Sequence, residues 1–305
     1  TPEQMASLTA AQMAAMTTDQ LAGLDANQLT GLNTSQFSKL STAQIASLTT
    51  EQISLLETAD FAAMTTLQIG ALTTQQIEAI QPDTFMALTT AQAAALSTAQ
   101  VRAITTADLA AMETADLAAL RTAQVAAMRD DQIDALSAEQ LAALGTQQVR
   151  ALTAGQLARL DAEDMAALGS QQIAALSTAQ VATLSELQVA ALDSADVAAL
   201  STAQVAALSV DNVAALTGEA VVGLTTAQMR ALSTAQVAAL ESADLALMET
   251  ADLAALGTAQ IRALSVEQLV ALDATQLSNL GTAQIAALTT TQVAGLDPAN
   301  LAALS

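Results

Sequence analysis

A repeat of eight residues runs through the whole chain without insertion or deletion, and it constrains the fold more than any other feature. When each octad starts at residue 8n+1, the 305 residues form thirty-eight octads followed by Ser305. Position 5 of the octad is apolar in every copy, and position 8 is always Leu, Met or Ile. Ser177–Leu184, with the sequence Ser-Thr-Ala-Gln-Val-Ala-Ala-Leu, is representative. A fixed short period predicts a repeat array instead of the two globular domains that this length would otherwise suggest.

The period is incompatible with one continuous helix or with strands. An α-helix turns by about 100° per residue, so eight residues leave an apolar stripe roughly 80° out of register. Supercoiling compensates for a heptad or an eleven-residue repeat, but the mismatch of an octad is too large. In a strand, positions 5 and 8 would face opposite sides of the sheet. The remaining prediction is one short helix in each octad, broken and restarted at position 1.

Helix-capping residues recur at fixed octad positions. Position 1 is mostly Ser, Thr, Asp, Glu or Gly, while position 4 is Gln in twenty-seven octads and Asp in seven. Ser/Thr-x-x-Gln is a capping box, in which the N-cap side chain and the N3 side chain each bond to the other residue's backbone N–H. The apolar residues at position 8 and at position 5 of the next octad then form a hydrophobic staple. These features predict that each helix begins at position 2.

Proline and charge give the same placement. Pro2, Pro82 and Pro298 all stand at position 2, the first helical residue, where a missing N–H has no cost. Acidic residues concentrate at positions 1 to 4. Six basic residues lie at positions 6 and 7, namely Lys39, Arg102, Arg150, Arg159, Arg230 and Arg262. Acids at the start of a helix and bases at its end complement the helix dipole. The sequence therefore predicts helices of about six or seven residues over positions 2 to 8. Position 7 is small in nearly every octad, which predicts close packing there.

The predicted fold is an all-α solenoid, or superhelix, of about 38 short helices with one helix per octad. We expect residues 1–305 to form a single continuous array without an internal boundary. One octad cannot fold alone, because ordering eight backbone residues costs roughly 8–16 kcal/mol, whereas burying two aliphatic side chains returns about 3–6 kcal/mol. We therefore expect each octad to bury its apolar residues against the octads before and after it.

The spacing of three phenylalanines bears on the number of octads in each turn of the superhelix. Phe37, Phe61 and Phe85 all occupy position 5 and are spaced by three octads. One interpretation is drift among interchangeable core residues. The other is a superhelix with three octads per turn.

Composition excludes several classes of protein. Hydrophobic residues make up 52% of the chain, which is unlike a disordered acidic tail, and no apolar run reaches the roughly 18 residues of a membrane span. The net charge of −22, without a basic stripe, argues against nucleic-acid binding. Cysteine and histidine are absent, so disulfides, the usual zinc sites and Ser-His-Asp catalysis are excluded. We expect no enzyme activity and no cofactor, and we assign no catalytic, cofactor-binding or metal-binding residues.

Two side-chain patterns suggest sites, and both have simpler explanations. Five octads carry an acidic pair at positions 1 and 4: Glu57/Asp60, Glu113/Asp116, Asp193/Asp196, Glu241/Asp244 and Glu249/Asp252. These pairs have the oxygen ligands that Ca²⁺ prefers. They also suit helix capping, which is the interpretation we favour. The regular hydroxyl groups at positions 1 and 2 resemble the threonine arrays of ice-binding proteins. Because position 1 is expected to cap the helix, we do not favour that function.

Octads such as Gly281–Leu288 and Thr225–Leu232 resemble the Ala/Thr/Gln-rich octapeptide arrays of large bacterial proteins, some of them secreted or attached to the cell surface. The resemblance covers the whole chain. It implies a bacterial origin, an extracellular or cell-surface location, and a role as an extended fibre, stalk or spacer. The alternative is a solenoid scaffold that binds a protein or peptide, as adhesins do.

The first and last octads keep their apolar residues and lack the polar caps usual in repeat arrays. We therefore expect either end-to-end self-association into filaments or contact with neighbouring segments of a larger chain.

Overall fold

A computed structural model of the protein describes residues 1–304. Those residues form thirty-eight α-helices and no strand, with one helix in each octad, as predicted. The helices belong to two compact units, Thr1–Leu152 and Thr153–Ser305.

The first unit contains α1 (Pro2–Ala6), α2 (Ala10–Ala15), α3 (Thr18–Ala22), α4 (Ala26–Thr30), α5 (Thr34–Phe37), α6 (Thr42–Ser47), α7 (Thr50–Ser54), α8 (Thr58–Ala62), α9 (Thr66–Ala71), α10 (Thr74–Ala79), α11 (Pro82–Phe85), α12 (Thr90–Ala95), α13 (Thr98–Ala103), α14 (Thr106–Ala111), α15 (Thr114–Ala119), α16 (Thr122–Ala127), α17 (Asp130–Asp134), α18 (Ala138–Ala142) and α19 (Thr146–Ala151).

The second unit contains α20 (Ala154–Leu157), α21 (Ala162–Ala167), α22 (Ser170–Ala175), α23 (Thr178–Val181), α24 (Glu186–Ala190), α25 (Ser194–Ala199), α26 (Thr202–Ala207), α27 (Val210–Ala214), α28 (Gly218–Val222), α29 (Thr226–Ala231), α30 (Thr234–Ala239), α31 (Ser242–Leu247), α32 (Thr250–Ala254), α33 (Thr258–Ala263), α34 (Val266–Ala271), α35 (Ala274–Ser278), α36 (Thr282–Ala287), α37 (Thr290–Gly295) and α38 (Pro298–Ala303).

Most helices begin at position 2 with the predicted capping box, whereas α8, α11, α15, α31 and α32 begin there without a side-chain capping bond. In α10, the N-cap Thr73 is extended, with φ −73° and ψ 161°. The Thr73 hydroxyl oxygen accepts from the Gln76 backbone N–H at 3.2 Å, and Gln76 Oε1 accepts from the Thr73 backbone N–H at 2.7 Å. Where the N-cap is glycine, the second of these bonds remains: the Gly145 N–H donates to Gln148 Oε1 at 2.6 Å. The position-1 hydroxyl oxygens are thus engaged in capping, as expected.

The helix ends are earlier than predicted. The helices contain four to six residues and end at position 5, 6 or 7, so the prediction that they include position 8 is wrong. At the end of α6, Leu48 is extended, with φ −59° and ψ 137°. Its N–H donates to the Ile45 carbonyl, three residues earlier, at 3.2 Å. This tight last turn and the extended residue after it lead the chain to the next N-cap, so position 8 joins two helices instead of extending one.

Within each unit, a helix packs against the helix three octads away. The close pairs include α12 with α15, α22 with α25, and α31 with α34. The expectation that an octad packs against the octads directly before and after it is therefore wrong. The extended residues between consecutive helices redirect the chain, so the helices in closest contact are three octads apart.

The phenylalanine spacing coincides with this packing period. Phe37, Phe61 and Phe85 are fully buried on α5, α8 and α11, which contact one another in sequence. The rings of Phe61 and Phe85 have centroids 6.3 Å apart and are tilted by 32°. A separation of three octads therefore places equivalent core residues side by side. This favours the interpretation in which three octads form one turn of the superhelix over drift among core residues.

The core contains positions 5 and 8, as predicted, and position 4 as well. Positions 3 and 6 are mostly exposed, and position 7 is mostly half-buried. The predicted close packing at position 7 is clearest at its glycines. A Cβ atom on Gly31 would lie 2.5 Å from Pro2 Cα, and one on Gly223 would lie 2.2 Å from the Ser194 carbonyl oxygen.

Candidate functional site

The most regular polar feature is a series of buried glutamine side chains at octad position 4, which we name the glutamine ladder. Gln76 is 2% exposed and is typical. While its Oε1 accepts from the Thr73 N–H, its Nε2 donates to the Ile45 carbonyl at 2.9 Å and to the Leu48 carbonyl at 2.7 Å. These carbonyls belong to positions 5 and 8 of the octad four repeats earlier.

The same long-range bond recurs through both units. In each case the side-chain amide of a position-4 glutamine donates to the position-8 carbonyl 28 residues earlier. The glutamines that make this bond are Gln36, Gln44, Gln52, Gln68, Gln76, Gln92, Gln100, Gln124, Gln132, Gln140, Gln148, Gln188, Gln204, Gln228, Gln236, Gln260, Gln268, Gln276, Gln284 and Gln292.

Each ladder glutamine connects the start of one helix to the end of another. The first N–H groups and the last carbonyls of a helix have no partner inside the helix. One carboxamide supplies an acceptor for the N-cap N–H of its own helix and donors for two carbonyls at the end of a helix four octads earlier. Because an unpaired buried backbone group costs about 1–3 kcal/mol, the ladder is a main contributor to the interface between turns.

The sequence analysis identified the capping function of Gln and missed this second function. A signal for it was present, because a capping box accepts Glu as readily as Gln at N3, and Glu would also favour the helix dipole. Glu nevertheless stands at position 4 in none of the thirty-eight octads. A donor at this position allows the second set of bonds, and only the structure shows which carbonyls receive them.

Two substitutions at position 4 retain part of this function. The Thr84 hydroxyl donates to the Leu56 carbonyl at 3.1 Å, and Asn212 Nδ2 donates to the Leu184 carbonyl at 2.9 Å. Both acceptors are 28 residues earlier, at position 8. A side chain shorter than Gln can therefore still reach the position-8 carbonyl when it has a hydrogen to donate.

Comparison with known repeats supports the octad as the unit of the fold. The family model of the ALTTAQ repeat matches residues 21–56, 53–90, 109–146, 157–194, 189–226 and 245–282, which together cover more than half of the chain. The chain belongs to the ALTTAQ repeat family. Comparison with curated proteins gives no match. Each ALTTAQ match is longer than four octads, so it is long enough to contain one complete step of the glutamine ladder.

Aspartate replaces the ladder glutamine in seven ALTTAQ octads. The pKa is raised above its ordinary value in six of these carboxyl groups, and burial is the main cause. They are Asp60, Asp108, Asp116, Asp196, Asp244 and Asp252. Asp108 is the most buried, at 1% exposure. Its Oδ2 accepts from the Thr105 hydroxyl at 2.7 Å, but its buried Oδ1 has no hydrogen-bond partner among the described residues.

The acidic pairs of the ALTTAQ octads differ in how they cap. Asp193 and Asp196 form the predicted reciprocal capping bonds, at 2.8 and 3.2 Å. The N-cap glutamates of the other four pairs make no side-chain capping bond, so the capping interpretation is wrong for Glu57, Glu113, Glu241 and Glu249. The longer glutamate side chains do not accept a hydrogen bond from the backbone N–H at N3 of their own helix, as the Asp193 side chain does. Among residues 1–304, no group of three or more acidic side chains is arranged to hold a metal ion.

Shallow grooves recur where the start of one ALTTAQ octad faces the octad three repeats later. One groove has a volume of about 520 Å³ and includes Glu241 and Glu267 in its wall. An equivalent groove of about 340 Å³ includes Glu113 and Glu139. These acids stand at position 1 of one octad and position 3 of the other, so the negative charge is distributed along the surface of the array.

An apolar surface patch in the second unit departs from this acidic pattern. Leu187 is 75% exposed and Leu247 is 60% exposed. Leu187 and Gly218 line a groove of about 410 Å³, and a Cβ atom on Gly218 would lie 3.0 Å from Leu247 Cδ1. We define Leu187, Gly218 and Leu247 as the apolar patch. Over residues 1–304, no helix has the length and apolar character that crossing a membrane requires.

Proposed function

We propose that this ALTTAQ array is a structural repeat protein, an extended stalk, spacer or fibre segment whose length is set by its number of octads. The glutamine ladder carries the proposal. Each added octad repeats the same bonds to the octad four repeats earlier and the same apolar packing three octads away. An interface of this kind adds length without needing a new core. We assign no reaction and no cofactor to the chain.

The proposed length dependence can be tested by changing the number of octads inside one unit. Duplicating residues 97–128 adds four octads in register, whereas inserting the same residues in scrambled order adds equal mass without the repeat. We expect small-angle scattering to show a longer particle of unchanged cross-section for the in-register variant. The proposal is contradicted if the particle instead grows equally in all directions, as a globular protein does.

End-to-end association is part of the proposal, because the ends of the array carry complementary groups. Gln4, Gln12 and Gln20 are exposed, and their Nε2 groups donate no hydrogen bond within residues 1–304. At the other end, Val293 and Leu301 are each 42% exposed, and no octad follows within these 305 residues to donate to the carbonyls there. A further octad would satisfy both ends, whether it belongs to a longer polypeptide or to a second copy.

Sedimentation of the purified 305-residue chain tests the association. We expect head-to-tail oligomers that increase with salt, because a net charge of −22 is then screened. Leu8→Lys combined with Leu301→Lys places charge at both ends and should give monomers. A matched control, Ala179→Lys with Ala59→Lys, places the same charges at exposed position-3 residues and should leave the oligomers intact. A wild-type chain that stays monomeric at high concentration and salt contradicts self-association and leaves neighbouring segments of a larger chain as the partner.

A bacterial source and an extracellular or cell-surface location are also proposed, on the strength of the resemblance to octapeptide arrays of secreted and surface proteins. Protease treatment of intact source cells is the direct test. Loss of the array from intact cells supports a surface location, while protection until lysis contradicts it.

The apolar patch favours a second candidate function, a scaffold that binds a protein or peptide. The exposed Leu187 side chain lines a groove with Gly218, Glu241 and Asp244, and the exposed Leu247 side chain also approaches Gly218. Fluorescence anisotropy with labelled apolar peptides should detect binding to the wild-type chain and its loss in Leu187→Ser with Leu247→Ser. Equal binding by an exposed control variant, Leu67→Ser, is required. Peptide binding that survives the loss of both leucines contradicts this function.

A further inference from the structure

The buried aspartates of the glutamine ladder occupy a place that requires a hydrogen-bond donor. In the glutamine octads, the position-4 side chain donates to a position-8 carbonyl 28 residues earlier, as Gln76 does to Leu48. In the octad of Asp108, the corresponding carbonyl is that of Ile80. An ionised carboxylate has no hydrogen to donate, so the Ile80 carbonyl lacks the donor that a glutamine would supply.

The length of an aspartate side chain suffices to reach that carbonyl. Asn212 has the same length and the same branching, and its Nδ2 donates to the Leu184 carbonyl at 2.9 Å. Thr84, which is shorter, donates through its hydroxyl to the Leu56 carbonyl at 3.1 Å. The chain thus contains both an amide and an O–H group that make this bond from position 4. A protonated aspartic acid has an O–H donor at a comparable distance from the backbone.

We propose that the six buried position-4 aspartates are acid-operated cross-links of the array, in which protonation creates the hydrogen-bond donor that each octad four repeats earlier requires. The carboxyl group gains a proton from solvent and then donates it in an O–H···O bond to the position-8 carbonyl. At neutral pH, the ionised carboxylate leaves that carbonyl unmatched. Acid therefore strengthens contacts between turns of the array, whether or not the array functions as a spacer.

Asp108 is the clearest case because burial dominates its environment. Its helix, α14, packs against α11 and α17. The charged groups on these helices and their caps, and on the helix that carries the Ile80 carbonyl, are Asp83, Asp130, Asp131, Asp134, Arg129 and Glu78. All five acids are exposed, and Arg129 is half-buried and pairs with Asp131 at 3.0 Å. Burial raises the pKa of Asp108, and hydrogen bonds from Thr105 oppose this.

The direction of the pH effect follows from linkage. Because the folded state raises the pKa of Asp108 above that of the unfolded chain, the folded state binds the proton more tightly. Stability from this group is then greatest in acid and decreases as pH rises above the ordinary aspartate pKa of about 3.9. An exposed aspartate does not produce this change.

Amide hydrogen exchange of the full chain tests the proposal, with protection factors corrected for the intrinsic rate at each pH. As the pH is lowered from about 7 to about 4, near the ordinary aspartate pKa, we expect protection in α10 and α14 of the wild type to increase about two- to tenfold, the contribution of one hydrogen bond. Asp108→Asn imitates Asn212 and should give high protection at both pH values. Asp83→Asn removes the same charge from an exposed site on α11 and should behave as the wild type does.

Two outcomes overturn the proposal. One is the same pH dependence in Asp108→Asn as in the wild type, which would assign the effect to general charge. The other is a carboxyl NMR titration of the wild-type chain in which Asp108 titrates together with Asp83. The titration needs no variant, so the proposal remains testable if Asp108→Asn does not fold, and Asp108→Gln, which restores the usual octad, gives a second variant.

Discussion

Replacing one ladder glutamine should measure how strongly the turns of the array are held together. Gln140 is 4% exposed and makes bonds in two directions. Its Oε1 accepts from the Ser137 N–H at 3.0 Å, and its Nε2 donates to the carbonyls of Leu109 and Met112, each at 2.9 Å. Gln140→Ala removes these three bonds and a longer one of 3.4 Å to the Ala110 carbonyl, and it leaves buried backbone groups without partners.

The expected loss is about 3 kcal/mol, because each hydrogen bond contributes about 1 kcal/mol net and more when its partner stays buried. Gln20→Ala provides the matched control. Gln20 holds the same octad position and accepts from the Thr17 N–H at 2.9 Å, but it is exposed and lacks a carbonyl partner within residues 1–304. Its loss should cost about 1 kcal/mol or less. The difference of about 2 kcal/mol belongs to the long-range bonds.

Repeat arrays open locally, so a local measurement is required. Native-state hydrogen exchange should show reduced protection in both α14 and α18 for Gln140→Ala, although α14 contains no substituted residue. For Gln20→Ala, the loss should remain within α3. If both variants lose the same protection, and only in the substituted helix, then Gln140 acts through capping alone and the ladder does not join the turns.

Further substitutions test the core and the close contacts. Leu144→Ala removes a side chain that is 4% exposed and should destabilise by about 2–5 kcal/mol in thermal melts, whereas Ala179→Glu at an exposed position 3 should be nearly silent; equal costs would contradict the assigned core. Gly223→Ala forces a Cβ against the Ser194 backbone and should cost about 1–3 kcal/mol. Gly70→Ala, whose Cβ would meet no atom closer than 3.9 Å, should be neutral or stabilising by up to about 1 kcal/mol. Similar urea midpoints for the two glycine variants would refute the close contact.

The sequence predicted the local features of the fold because their causes lie within one octad. A capping box involves two residues three positions apart, and its partners are fixed once the helix starts. The N-caps at position 1, the first helical residues at position 2 and the buried residues at positions 5 and 8 were therefore predicted before any tertiary contact was known. The helix ends were predicted less well, because position 8 is apolar both in a longer helix and in the observed extended joint.

The partners of Gln76 and the neighbours of Phe61 were decided by tertiary structure alone. The angle between consecutive helices depends on the backbone dihedrals of the few residues around position 8 and position 1. Small changes in these dihedrals, added over several octads, alter which later octad returns to the first. The octad pattern is the same whether turns meet after two, three or four repeats. For this reason, the sequence by itself determined that a position-4 Gln caps its own helix, whereas only packing between turns determined that a Gln such as Gln76 also binds carbonyls 28 and 31 residues earlier.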